Sequence, residues 1–316
     1  MPLSSATSDG IARAVALLRN GGVVAFPTET VYGLGALVWD TRAVARIFEL
    51  KGRPSFDPLI VHVAHRSWVE RVASRIPQTA EALVERFWPG PLTLVLDRHP
   101  RVPGIVTAGL GTVAVRMPSH PVARAILRGV GEPLAAPSAN PFGYLSPTRA
   151  EHVADALGAR ADLILDGGRT HHGLESTIVA LEPAPALLRP GAIAAESIEA
   201  VVGPLERRRQ NAAVLAPGQL PVHYAPHTPL RIIEPGEVTP AERRRAGVLS
   251  LREAFEGYAA ARRLSERGDL REAAAAFFDA LHELDALGLE RIDAQPLPAH
   301  ALGLAMMDRL ERAAAR

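Results

Sequence analysis

The chain has 316 residues, 47% hydrophobic and 22% charged, with 35 basic against 34 acidic side chains and no cysteine. That length favours two domains, and a net charge of +1 gives no global field for nucleic acid or membrane, so a polyanion site must be a local patch. The absence of thiols excludes disulfides, thiolate zinc sites, iron–sulfur clusters and cysteine nucleophiles.

In chain order, the polar stretch from Met1 to Gly10 carries no signal-peptide core, and no apolar run approaches the roughly 18 residues of a membrane span. A cytoplasmic protein without membrane contact is expected. Ile11 to Arg19 then reads as a helix and Val23 to Phe26 as a buried strand stopped by Pro27. Thr41 to Leu50 is a helix with an apolar stripe, Leu59 to Val63 a strand, Thr79 to Phe87 a helix and Leu92 to Leu96 a strand. Short strands follow at 113–116, 134–136, 163–165 and 178–181, with helices near 122–127 and 149–157. The alternation predicts an α/β domain over 1–203 around a twisted sheet.

Periodicity fades from Pro204 to Pro229, where five prolines and the run Arg207-Arg208-Arg209 predict an extended linker. Beyond it, strands at 231–233 and 248–251 and helices at 254–264, 270–287 and 299–315 predict a smaller α/β domain over 230–316.

Arginine fills 34 of the 35 basic positions, and the one lysine is Lys51, in the turn-rich string Lys51-Gly52-Arg53-Pro54. An ammonium is a compact point charge, whereas a guanidinium is a planar fork, so a lone lysine is either a candidate for a task the fork cannot do or a chance survivor of the composition. Four further strings carry polar residues on loops. Pro27 to Gly35, with Thr28, Thr30 and Tyr32, follows the first strand, where α/β sheets bind ligands; it also reads as a hairpin turn with a capping threonine. His62 lies in an apolar strand, where a lone histidine is more often a satisfied core residue than a ligand. Gly111 to Pro118 ends in Arg116, which needs an anionic partner if buried and none if it faces solvent. Ala136 to Pro141 with Ser146 and Thr148 offers hydroxyls on rigid turns, though Ser146 or Thr148 could simply cap the next helix. Gly173 to Thr177 precedes a strand, and Arg189-Pro190-Gly191 ends the following one. There is no GxxxxGK[ST], GxSxG or HExxH, and His171-His172 with His223 and His227 lacks acidic partners at zinc-ligand spacing. One lysine, several arginines and many hydroxyls, without a nucleophile or paired carboxylates, suit a nucleotide plus a small polar acid.

These strings, in this order, resemble the YrdC-like threonylcarbamoyl-AMP synthases. The likeness continues through Ala216-Pro217-Gly218 and His223-Tyr224-Ala225-Pro226 into a C-terminal Rossmann-like domain of the long family members. The resemblance implies a curved open sheet with a large concave basic cavity. It also implies a nucleotidyltransferase that makes threonylcarbamoyl-AMP, pyrophosphate and water from ATP, L-threonine and bicarbonate, with Mg²⁺ accompanying ATP. The product would feed the tRNA threonylcarbamoyl-transfer machinery that modifies adenosine 37 of ANN-reading tRNAs. Carried over by resemblance, Thr30, His62, Arg116, the backbone of Ala136 and Ser176 would hold threonine. Arg53, Asp57, Thr112, Ser138, Ser146, Arg189 and Tyr224 would hold ATP, with Tyr224 as a lid, while Lys51 and Tyr32 would line the reacting centre. Asp57 stands where the family usually has asparagine, which makes it either a Mg²⁺ ligand, an outward-turned residue or a weakness in ATP binding. Gln219 stands where methionine is usual. The related hydrogenase-maturation carbamoyltransferases carry zinc-binding cysteine clusters, which this chain lacks. A double-stranded RNA or tRNA-binding module using the same basic cavity is the alternative, set against near-neutral charge and 5% aromatics.

Overall fold

The computed structural model describes residues 3–207, 216–218, 220 and 223–315; Gln219 and the Arg208-Arg209 part of the basic run lie outside them. The first sheet contains β1 (Leu3–Ser5), β2 (Val24–Phe26), β3 (Gly33–Leu37), β4 (Ile60–His62), β5 (Ala73–Arg75) and β6 (Leu92–Arg98). It continues with β7 (Thr112–Arg116), β8 (Leu134–Ala135), β9 (Leu163–Asp166), β10 (Thr177–Ala180), β11 (Ala186–Arg189) and β12 (Glu206–Arg207). The spatial order is β1-β9-β2-β3-β8-β4-β7-β6-β10-β11-β12, with β5 beside β6. Helices α1 (Ser8–Arg19), α2 (Thr41–Lys51), α3 (Gln78–Phe87), α4 (Pro121–Val130), α5 (Ala150–Leu157) and α6 (Ala195–Val202) cover it.

Successive residues of a strand point to opposite faces, and β2 uses both. Val24 and Phe26 pack with Ala14 and Leu18 of α1 and Ile126 and Leu127 of α4, while Val23 and Ala25 pack with Ala43 and Ile47 of α2 and Val153 and Leu157 of α5. Burial on both faces is why this strand reads as an unbroken apolar run. Each such large side chain contributes about 1.5–3 kcal/mol, so Phe26→Ala is the single change that would damage this layer most, by about 3–5 kcal/mol. The helix starts are set locally: Thr7 caps α1, Asp40 caps α2 through the Arg42 and Ala43 amides, and Pro121 opens α4.

A second sheet holds β13 (Leu230–Ile232), β14 (Ala246–Ser250), β15 (Ala260–Arg263) and β16 (Arg291–Ala294), all parallel, in the order β13-β16-β14-β15. With it go α7 (Pro240–Arg243), α8 (Leu270–Asp285) and α9 (Ala301–Ala314). Phe277, Phe278, Leu281, Met306 and Leu310 fill its core, and that core continues into Val31, Leu145 and Leu174 of the first unit and Tyr224 of the linker.

Three expectations fail for tertiary reasons. The glycine-rich 33–37 segment is strand β3, because pairing with β2 on one side and β8 on the other outweighs weak local propensity. The expected helix at 254–264 is a loop and then β15, since Ala260–Arg263 pairs along β14. Strand β16 was not anticipated; its polar Asp293 is fully buried and held by Arg231 and Arg291.

Candidate active site

Sheet register creates the site. Parallel pairing of β4 with β7 sets His62 beside Arg116 at their carboxyl ends, and antiparallel pairing of β6 with β7 sets Thr93 opposite Arg116. The β2–β3 loop brings Thr28 and Thr30 over these positions, and the segments after β8, before β10 and at the end of β11 bring Ala136–Ser138, Ser176 and Arg189. Together they line one cavity, closed by Pro217, Gly218, His223 and Tyr224.

One end of the cavity is built around Arg116. Its Nη1 donates to Thr30 Oγ1 at 2.9 Å, its Nε to the Gly90 carbonyl at 3.3 Å, and its Nη2 lies 2.6 Å from Glu29 Oε1. Burial alone would raise the Glu29 carboxyl, but Arg116 outweighs it and holds the group below its ordinary range. Thr28 and Thr30 hydroxyls are 2.8 Å apart, and Thr28 donates on to the Val31 carbonyl. His62 is fully enclosed; burial, reinforced by Arg116, lowers it to about 3, so the ring is neutral at physiological pH. Its Nδ1 has no hydrogen-bond partner among the described residues. The Ala136 amide donates to Ile60 O, which leaves only its carbonyl for a ligand.

The other end is cationic. Arg53 spends Nε on the Asp57 carbonyl (3.0 Å) and Nη2 on the Pro58 carbonyl (2.7 Å). Arg189 forks onto the Ser176 carbonyl at 3.2 and 2.9 Å and reaches Ser176 Oγ, which is also 2.7 Å from Thr93 Oγ1. Gly52 ends α2 at φ 60°, a left-handed value that favours glycine, and this sharp turn lets Lys51 and Arg53 diverge from neighbouring backbone.

Several predicted residues stand elsewhere than in the cavity wall, and Tyr32 in the wall spends its hydroxyl elsewhere. Lys51 is buried behind it, with Nζ donating to the carbonyls of Ser138 (2.6 Å) and Asn140; burial and then Arg53 pull its ammonium well below the ordinary lysine range. It therefore pins the 138–140 loop and is not among the residues that line the cavity. Tyr32 borders the cavity, but its hydroxyl donates to the Gly168 carbonyl and accepts from the Gly167 amide. Asp57 does not turn outward: it is fully buried, with Oδ2 2.9 Å from Arg53 Nη2. Thr112 sits half-buried at the start of β7, away from the cavity lining. Ser146 caps no helix; its hydroxyl donates to Glu175 Oε1 at 2.5 Å, and Thr148 donates to Asp279.

The expected large concavity is about 40 Å³, roughly one water molecule's worth of space and far below the 300–1,000 Å³ of ordinary ligand pockets. Linker residues form part of its lining. Ala216, Pro217 and Gly218 are buried, His223 N reaches the Arg312 carbonyl, and the Ala225 amide donates to Gly143 at 2.8 Å.

Three residues that sequence reasoning left without a role meet the site: Glu175 lines the cavity, Glu29 pairs with Arg116, and Arg309 pairs with Glu175. Glu29 and Glu175 stood inside quoted strings with nothing to mark them. Arg309 did carry a signal: it interrupts the apolar face Ala305, Met306, Leu310 and Ala313 of α9. Among the described residues no group of three or more His, Cys, Asp or Glu could hold a metal ion, and no helix is long and apolar enough to cross a membrane.

Residues 16–191 match the Sua5/YciO/YrdC family model, described as "Telomere recombination", and residues 193–315 match the model "Threonylcarbamoyl-AMP synthase, C-terminal domain". The chain is 47% identical over 320 residues to a threonylcarbamoyl-AMP synthase of Bacillus subtilis, covering 96% of this chain and 92% of that one. It is 42% identical to one of Pyrococcus abyssi, covering 95% and 92%. A crystal structure of P. abyssi Sua5 complexed with L-threonine superposes with a TM-score of 0.90 at 41% identity, covering 96% of this chain and 94% of that one.

Proposed function

The chain belongs to the threonylcarbamoyl-AMP synthase family, and from that premise we propose that it condenses L-threonine, bicarbonate and ATP to threonylcarbamoyl-AMP, pyrophosphate and water, as a cytoplasmic nucleotidyltransferase. The product would pass to the machinery that modifies adenosine 37 of ANN-reading tRNAs. The observation that carries the reading is a single cavity with two chemically distinct ends. At one, Arg116, Thr30 and a neutral His62 suit a hydroxy amino acid; at the other, Arg53 and Arg189 suit phosphates.

In this reading Arg116 takes the threonine carboxylate, and the unpartnered His62 Nδ1 accepts a hydrogen bond from the substrate. Ser176 and the Ala136 carbonyl complete that end. The threonine nitrogen joins bicarbonate carbon with loss of water, giving a carbamate. A carbamate oxygen then attacks the α-phosphorus as the bond to the pyrophosphate oxygen breaks. Arg53, Arg189 and Ser138 neutralise and orient the phosphates. Lys51 contributes by fixing the backbone of the 138–140 loop, Tyr32 by fixing Gly167 and Gly168, and Ser146 and Thr112 from outside the wall. Tyr224 and Gly218 close over the nucleotide and exclude water from the labile carbamate; a cavity this small requires that they withdraw for substrates to enter.

Asp57 does not suit Mg²⁺. Burial holds its carboxyl above the ordinary range despite Arg53, Lys51 and Arg189 nearby, its Oδ2 is already paired with Arg53, and Mg²⁺ arriving with ATP would be held by the phosphates. Mass spectrometry of products from ATP, bicarbonate and each of threonine, serine and valine tests the proposal. Threonine should be used best and serine modestly less, since one methyl is worth about 1–3 kcal/mol. Valine should be nearly excluded. Equal use of all three, or no adenylate at all, would remove the assignment.

A further inference from the structure

Arg309 heads the fully buried side chains by volume and belongs to α9 of the C-terminal unit. It reaches out of its own unit. Both Nε and Nη2 lie 3.1 Å from Glu175 Oε2, Nη1 donates to Asp308 Oδ2 at 2.7 Å, and the guanidinium carbon stands 4.9 Å over the Tyr224 ring. Glu175 lines the catalytic cavity, and its other oxygen holds the Ser146 hydroxyl. One turn on, Arg312 receives the His223 amide on its carbonyl and donates from Nη1 to the Leu220 carbonyl.

We propose that Arg309 is a positioning residue for the nucleotide end of the site: it neutralises and orients Glu175 and seats Tyr224, so the C-terminal domain completes the active site. This rests on the ATP-dependent reading given above. Packing alone does not require a guanidinium here, because a well-packed apolar side chain in place of a buried ion pair is often neutral or stabilising. What does require it is Glu175. A buried carboxylate facing a triphosphate repels it unless a fixed cation cancels the charge; Glu175 has its ion pair with Arg309, which leaves the charges of Arg53 and Arg189 for the phosphates. Arg309 supplies that cation from behind the wall, where it cannot itself touch the substrate.

Steady-state kinetics of adenylate formation on the full chain test this, with Arg309→Met, Arg309→Lys, Glu175→Gln and the double variant Arg309→Met/Glu175→Gln. Arg309→Met should raise KM for ATP by at least about tenfold and leave KM for threonine within about twofold. Arg309→Lys should recover part of the loss. Adding Glu175→Gln to Arg309→Met should recover most of it, because the uncompensated carboxylate is then gone. A purely structural pin predicts otherwise: a lower thermal midpoint, both KM values unmoved, and no recovery in the double variant. That result overturns the proposal. Should Arg309→Met not fold, the comparison is between Glu175→Gln and the double variant. Equal ATP KM in those two supports action through Glu175, and a further rise in the double variant overturns it. Wild-type protein that makes no adenylate would instead sink the functional reading itself.

Discussion

Arg116 and Glu29 hold each other 2.6 Å apart at the floor of the cavity, both almost wholly buried. The arginine assigned to the substrate carboxylate thus already has an internal carboxylate as partner. Nη1 and Nε each spend a donor, on Thr30 and Gly90 respectively, so its plane is held before substrate arrives while further N–H groups of the guanidinium remain for a carboxylate. Glu29→Ala should therefore act twice. It leaves a buried guanidinium uncompensated, a change of the kind that costs about 3–5 kcal/mol, and it lets Arg116 swing. The expected readouts are a lower urea midpoint and a threonine KM raised several times more than that for ATP; equal rises in both would make the pair structural only.

Lys51→Arg keeps the charge but not the shape. The ammonium fits between the Ser138 and Asn140 carbonyls, a gap that a longer planar fork cannot enter without displacing the loop. Adenylate formation should fall at least about tenfold, the equivalent of one or two lost hydrogen bonds. A turnover number near wild type would show that the loop tolerates the fork.

Asp57→Asn removes a charge that now faces Arg53, with Lys51 and Arg189 also near. Freed positive potential should draw ATP more tightly, lowering its KM with no change in the Mg²⁺ concentration for half-maximal rate. A clear rise in that Mg²⁺ requirement would place the metal beside residue 57.

Gly218→Ala probes the closure. The glycine adopts φ +79°, and an added Cβ would come within 2.4 Å of the Tyr224 hydroxyl and 3.1 Å of Arg189 Cδ. The closed linker should be driven off the site, raising KM for ATP while the thermal midpoint shifts little. Unchanged kinetics would mean that closure plays no part in binding.

Stability should fall in acid. His62 and His152 are both lowered from 6.5 to about 3, mainly by burial. Above pH 6.5 neither folded nor unfolded chain binds these protons, so the stability is fully present. Between about pH 6.5 and 3 only the unfolded chain binds them, and stability drops by up to about 1.4 kcal/mol per pH unit per histidine. Urea midpoints measured across that range should decline, and more shallowly in His62→Gln; a flat profile down to pH 4 would contradict the burial of both rings.

Local pattern was enough for β2, α2 and α4, where apolar spacing and capping residues agree and neighbouring turns leave no competing choice. It was enough, too, to place Thr30, His62, Arg116, Ser138, Ser176 and Arg189 at strand ends and loops, because polar residues on turns the fold does not need stand out against an apolar background. Strand β3, by contrast, exists only through its two partners, and β15 forms from helix-favouring residues because β14 offers it an edge. Electrostatic pairing was the least legible. Glu29 with Arg116 and Arg309 with Glu175 join positions whose partners are named only when the chain closes on itself, as is the seating of the linker in the cavity. By itself the sequence determined most of the segments that could become strands or helices and which polar side chains stand at strand ends and loops, since both follow from residue type and local spacing. Only the tertiary structure decided which charges cancel, which remain for a ligand, and that a helix of the second unit sets Arg309 against Glu175 behind the cavity wall, because Coulomb energy and desolvation depend on distances that spacing along the chain does not contain.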